Sequence, residues 1–241
     1  MTEVLGQACH VDNVIDRIGH DVVPLGARTA SGTGFVGHRV IGQYYCERRP
    51  MDEESTMSVT LHWIPLGAGG RVVARCGRVY ESVSARTRHE RPAQPVHAAL
   101  TVVTDGSRYI IEQAPVWGAP PGDRGVRVTG PVGLRLLGRS RYFRYEIRCW
   151  RDGLIPDLAA ELARCPIPGD DRTAQRIIDA TARVPAFTWG RRAPGTTQMW
   201  NSNSVAAWLL VTAGIDPPLP PAGCHAPGWD AGRVIARSDQ G

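Results

Sequence analysis

The chain contains no lysine: its 28 basic residues are all arginine, set against 23 carboxylates for a formal net charge of +5. Codon bias of a GC-rich genome produces that pattern, so arginine abundance alone does not point to nucleic acid. Long hydrophobic runs are also missing. No stretch approaches the roughly 18 apolar residues that a membrane span needs. The opening Met1-Thr2-Glu3 lacks the basic and then apolar pattern of a secretory signal, so the expected setting is cytoplasmic. Cysteine is sparse. Cys9, Cys46, Cys76, Cys149, Cys165 and Cys224 form no C-x-x-C pair, which excludes a zinc ribbon. Without a signal peptide, the same spacing argues for thiols in a reducing compartment and against a disulfide framework.

What is present is an ordinary globular composition, 42% hydrophobic and 21% charged, over 241 residues. That is enough for one large domain, or one domain with an extension. The charge is uneven. Residues 1–56 hold five arginines against eight carboxylates, so the remainder carries a surplus of basic groups. A surplus of that sign favours anionic partners such as phospholipid headgroups or phosphorylated substrates, although a solvated arginine surface gives the same count. Residues 1–56 sustain neither a helical nor a strand period. They are expected to be an extension outside the core, with the folded domain spanning 57–241.

From Met57 onward the pattern is that of an α+β domain, an antiparallel sheet followed by late helices. Val59 to Ile64 alternates as a strand. His97-Ala98-Ala99-Leu100-Thr101-Val102-Val103 reads as a buried strand, and Arg108 to Glu112 as its partner. The Asp105-Gly106 pair between them is a strong hairpin signal. Further strands are expected near 126–128 and 143–150. Helices are expected from Pro156-Asp157 to about Ala163, from Asp170-Asp171 to Val184, and from Asn203 to Ala213 with Gly214 as cap. The proline-rich stretch from Asp216 to Gly228 is read as irregular.

The sharpest local feature is Trp200-Asn201-Ser202-Asn203-Ser204, directly before the apolar run Val205 to Leu210. Small polar residues here cap a helix. The same position sets a hydroxyl against unpaired backbone N–H groups and the positive end of the helix dipole, which suits a nucleophile. His97 stands at the head of an apolar strand, and Glu112 near the end of its partner. Pairing across Asp105-Gly106 is expected to bring the two together, where a carboxylate fixes the imidazole tautomer and raises its basicity.

This order of histidine strand, carboxylate on the next strand and polar helix start resembles the permuted papain-like fold of the NlpC-like superfamily. That group includes the lecithin retinol acyltransferase branch, the YiiX-like peptidases and the PPPDE peptidases. His97-Ala98-Ala99-Leu100 is similar to the histidine strand, and Tyr109-Ile110-Ile111-Glu112 to the segment carrying the third residue. Asn201-Ser202-Asn203-Ser204 is similar to the Asn-Cys context, with Ser202 in the cysteine place. The resemblance covers roughly residues 57–215. It implies a hydrolase or acyltransferase of an amide, ester or thioester, acting on a small-molecule, lipid or peptide acyl substrate. Ser202 would be the nucleophile, His97 the base and Glu112 its orienting group, with amides near Asn203 binding the oxyanion. Asn201 and Asn203 would support the site. No metal, organic cofactor or nucleic-acid partner is implied. Serine supplies no thiolate, so the alternative is a catalytically inactive binding module of the same fold.

Two weaker patterns complete the reading. Gly32-Thr33-Gly34-Phe35-Val36-Gly37 fits G-x-G-x-x-G without a strand before it or a helix after it, which argues against a dinucleotide site. Arg139, Arg141, Arg144 and Arg148, interleaved with Tyr142, Phe143 and Tyr145, read as a strand with one buried and one solvated face.

Overall fold

Residues in the first strand alternate Val59, Leu61, Trp63 against Thr60, His62, Ile64, and the fold follows from giving those two sets different faces. The computed structural model describes residues 58–66, 93–117, 121–155 and 157–240. The expected extension at 1–56, which includes the G-x-G-x-x-G segment, lies outside the described residues. Among the described residues there are seven strands: β1 (Val59–Pro65), β2 (Gln94–Thr104), β3 (Ser107–Pro115), β4 (Val126–Pro131), β5 (Arg144–Arg151), β6 (Ala163–Ile167) and β7 (Cys224–His225). Three α-helices follow the sixth strand: α1 (Asp171–Ala180), α2 (Ser202–Thr212) and α3 (Trp229–Ser238). The main sheet runs β4-β5-β3-β2-β1-β6 with every neighbour antiparallel, and β7 pairs parallel with the head of β2. The α+β class and the late helices are as the sequence indicates.

One sheet face carries the main core. Leu61, Trp63, Val96, Ala98, Leu100, Ile111 and Ile147 pack with Ile177 of α1 and Leu209 of α2. The opposite face has a smaller cluster of Ile64, Ala99, Ile110 and Ile155, with Leu158 against it. The β2–β3 hairpin closes through Asp105 and Gly106, with φ of +48° and +68°. Positive φ at both central residues is the turn that matches strand twist, which is why Asp-Gly serves here.

Two sequence expectations are corrected. The helix expected from 156 to 163 is only a 3-10 turn at Leu158–Ala160, followed by β6. Ala163, Cys165 and Ile167 point into the core with period two, and β6 pairs along β1, so edge pairing outweighs local helix propensity. The irregular tail contains β7, and the unforeseen helix α3 lies just beyond it.

Helix α3 crosses α2 at close range. A Cβ on Gly232 would lie 2.1 Å from the Ser204 carbonyl oxygen, a backbone atom that cannot turn aside. Gly232→Ala is therefore expected to lower stability by about 1–3 kcal/mol or more, read as a fall in the urea midpoint. An unchanged midpoint would mean that the two helices slide apart without cost.

Candidate functional site

The start of α2 is where the sequence placed its chemistry, and the structure separates four polar residues into two kinds. Asn201 is the N-cap: its Oδ1 accepts from the amides of Asn203 at 3.0 Å and Ser204 at 3.2 Å. Ser204 Oγ accepts from the Asn201 amide at 3.2 Å, completing a capping box, and lies 2.8 Å from the Gly228 carbonyl. Asn203 Nδ2 donates to the carbonyls of Val96 and Pro227, each at 2.9 Å. Asn201 Nδ2 also donates to Pro227 O, at 2.8 Å. Gly228 takes φ of +82°, and a Cβ there would meet Ser204 Oγ at 2.6 Å and Asn201 Oδ1 at 2.7 Å. Asn201, Asn203 and Ser204 thus bolt the helix start to β2 and to the turn before α3.

Ser202 is different. It is buried, yet among the described residues neither its hydroxyl nor its amide has a hydrogen bond. This refines the expected oxyanion donors. The amides of Asn203 and Ser204 are taken by the cap, and the unpaired donor of the first turn is the Ser202 N–H itself.

The anchor on Val96 explains how α2 meets the sheet. The β2–β3 pairing runs from Thr104 opposite Ser107 to Leu100 opposite Ile111. β1 remains paired with β2 as far as Val96. At the opened end of the hairpin, Asn203 occupies the Val96 carbonyl. The helix start therefore fastens one residue from His97.

His97 is registered opposite Ile64, on the sheet face of the smaller cluster, and is partly buried. Burial pushes its pKa below the ordinary value of 6.5, and the nearby Asp157 carboxylate pulls the other way. Among the described residues no hydrogen bond joins His97 to Ser202 or to Glu112.

Glu112 has another partner. It stands directly opposite Arg148 in the β3–β5 pairing, and its Oε1 accepts from Arg148 Nη1 at 3.1 Å. Arg148 also donates to Glu146 Oε2 at 3.0 Å and to the Pro115 carbonyl at 3.3 Å. Arg124 reaches Glu146 Oε1 at 3.0 Å. The result is a largely buried chain, Arg124–Glu146–Arg148–Glu112. The hairpin register accounts for the difference from expectation: continued past Leu100–Ile111 it carries Ala99 toward Glu112, two residues beyond His97. Burial pushes the Glu112 pKa up, Arg148 pulls it down, and Asp157 raises it further; the net shift is upward. Asp157 is the carboxylate that acts on both His97 and Glu112, and the sequence offered it only as a helix opener.

A second imidazole was not singled out from the sequence. His62 is 4% exposed, with Nδ1 2.5 Å from Glu161 Oε1 and Nε2 2.7 Å from Thr101 Oγ1. Carboxylate, imidazole and hydroxyl are in hydrogen-bonded order. Thr101, however, is flanked on both sides by paired strands, opposite Thr60 and Ile110. Its backbone has no donor to spare for an oxyanion, so this chain is a cross-strand clasp. The strict alternation of Leu61, His62 and Trp63 was the signal that His62 leaves the main core.

No family model, curated protein or solved structure matches the chain. Among the described residues, no group of three or more His, Cys, Asp or Glu is arranged to hold a metal ion, and no helix is long and apolar enough to cross a membrane. The site is therefore judged on its own geometry.

Proposed function

We propose that this chain is a hydrolase or acyltransferase of the permuted papain-like kind, with Ser202 as the nucleophile in the cysteine place. The observation that carries the reading is the contrast within one polar run. Asn201, Asn203 and Ser204 are all committed to capping and anchoring, whereas Ser202 keeps both its hydroxyl and its amide unpaired at a helix start. That helix start is fastened to the backbone of Val96, whose neighbour His97 presents its side chain to the opposite sheet face, with Ile64 and Ala99.

This reading requires His97 to leave the face it shares with Ile64 and Ala99 at the opened end of the hairpin; it then takes the Ser202 proton as Oγ attacks an amide, ester or thioester carbonyl. The Ser202 N–H and the positive end of α2 offset the negative charge that develops on the carbonyl oxygen. His97 then returns the proton to the leaving group as the acyl bond breaks. Water or an acceptor hydroxyl or amine, activated by the same imidazole, attacks the acyl-serine and releases it. A depressed pKa suits this role, because it keeps the imidazole neutral near pH 7.

A second reading has its own support. The commitment of Glu112 to Arg148 leaves His97 without an orienting carboxylate bond, and His97 lies on the sheet face away from α2; both favour a catalytically inactive binding module. A fluorophosphonate probe separates the two. Incubated with the full chain and mapped by peptide mass spectrometry, it is expected to label Ser202 and to leave Ser202→Ala unlabelled. Absence of labelling on folded protein, or labelling at Ser204, would overturn the catalytic reading in favour of the binding module.

A further inference from the structure

At the end of the β4–β5 pair a cleft of about 570 Å³ opens between β4, the segment after it and residues 186–188. Its lining includes Arg135, Arg139 and Arg144, together with Thr129, Thr188 and Phe187, and no carboxylate. The turn that carries Arg135 and Arg139 is held close to β4: a Cβ on Gly138 would lie 2.8 Å from Cβ of Pro131. Behind the cleft, Tyr145 passes over Gly130 and donates to the Phe187 carbonyl at 2.8 Å, which fixes the wall. Among the described residues none of the three guanidinium groups has a hydrogen bond or ion pair, and the Arg144 Nε is buried without a partner.

We propose that this cleft binds a phosphate monoester group. Three arginines line one space with no acid among the lining residues, a charge that a single carboxylate would not satisfy. A phosphoryl group offers three acceptor oxygens and a charge of about −1.5 to −2 near neutral pH. Arginine forks match that geometry bidentately. Burial of the Arg144 Nε fixes the root of that guanidinium in the cleft wall, which holds its charge beside the cleft. Thr129 and Thr188 add neutral donors, and Phe187 gives the alcohol side of the ester an apolar wall.

Two sources share this chemistry, a soluble phosphomonoester and a lipid headgroup. Leu136, beside Arg135 in the sequence, and Tyr142, three residues after Arg139, are 91% and 66% exposed, so the lipid source must be tested too. The inference does not depend on Ser202.

The experiment uses the full chain. Phenyl phosphate is titrated by calorimetry, and sedimentation is measured with phosphatidylcholine vesicles with and without phosphatidic acid. The expected result is saturable binding to phenyl phosphate, to phosphatidic acid vesicles, or to both. Arg144→Gln is expected to weaken it by about ten- to a hundredfold, with the circular dichroism spectrum unchanged. Arg139→Gln, on an exposed position, gives a second loss that does not depend on packing. Binding to phenyl phosphate identifies a soluble ester, and binding only to phosphatidic acid vesicles identifies the headgroup. No binding to either, or equal binding by both variants, would overturn the proposal.

Discussion

Replacing His97 by alanine is expected to slow fluorophosphonate labelling of Ser202 by about 10²- to 10⁴-fold, the range that a positioned general base contributes. The reason is specific to serine. A cysteine in the same place would supply some thiolate unaided, while a serine hydroxyl needs its proton removed as it attacks. The pH dependence gives an independent check. Only neutral imidazole accepts the proton, so labelling is low in acid and rises as pH passes the His97 pKa. Burial holds that pKa below 6.5, so half-maximal labelling should fall below pH 6.5. His97→Gln, closer in volume, tests whether any loss reflects packing beside Ile64 instead. Unchanged labelling in both variants, or a midpoint above pH 6.5, would remove His97 from the mechanism.

Arg148→Met should produce the largest loss of stability, about 3–5 kcal/mol, because it strips Glu112 and Glu146, two carboxylates on neighbouring strands, of their shared buried donor. Arg148 is 5% exposed and is the shared donor to Glu112 and Glu146. Methionine keeps much of the volume, so the loss reports charge more than a cavity. The double variant Arg148→Met, Glu112→Gln should recover part of it by removing one stranded charge. Wild-type stability should also respond to acid. Burial alone would raise the Glu146 pKa, but the bonds from Arg124 and Arg148 outweigh it and hold the group below its ordinary 4.5. The contribution of Glu146 is therefore present above pH 4.5 and is lost as pH falls through the lowered folded value. Glu112, whose pKa is raised, works in the opposite direction around the same pH. Urea denaturation at neutral pH checks the mutational effect; a loss under about 1 kcal/mol would mean that water already solvates the pair.

Local chemistry was legible in the sequence. Asp105-Gly106 specified its own turn, because an Asp-Gly pair accepts two positive φ values. Asn201 announced a helix start, since a short side chain can reach back to amides two and three residues on. The alternation in β1 and β2 marked their core faces, because a pleated strand has a period of two. Long-range pairing was not legible. Whether Glu112 meets His97 or Arg148 depends on strand register, and Arg148 reaches it from β5, a strand 36 positions on. Residues 163–167 carry too few side chains to declare a strand, and only β1 makes them one. Gly232 looks unremarkable in sequence, and its necessity arises from the Ser204 carbonyl of another helix. The three cleft arginines were visible as composition, but residues 186–188 had to fold against β4 before they faced one space. The sequence by itself determined turns, caps and buried faces, since each depends on a few adjacent residues. Partners for the charged groups were decided by the tertiary structure, because Coulomb and hydrogen-bond energies act through space and strand order sets those distances.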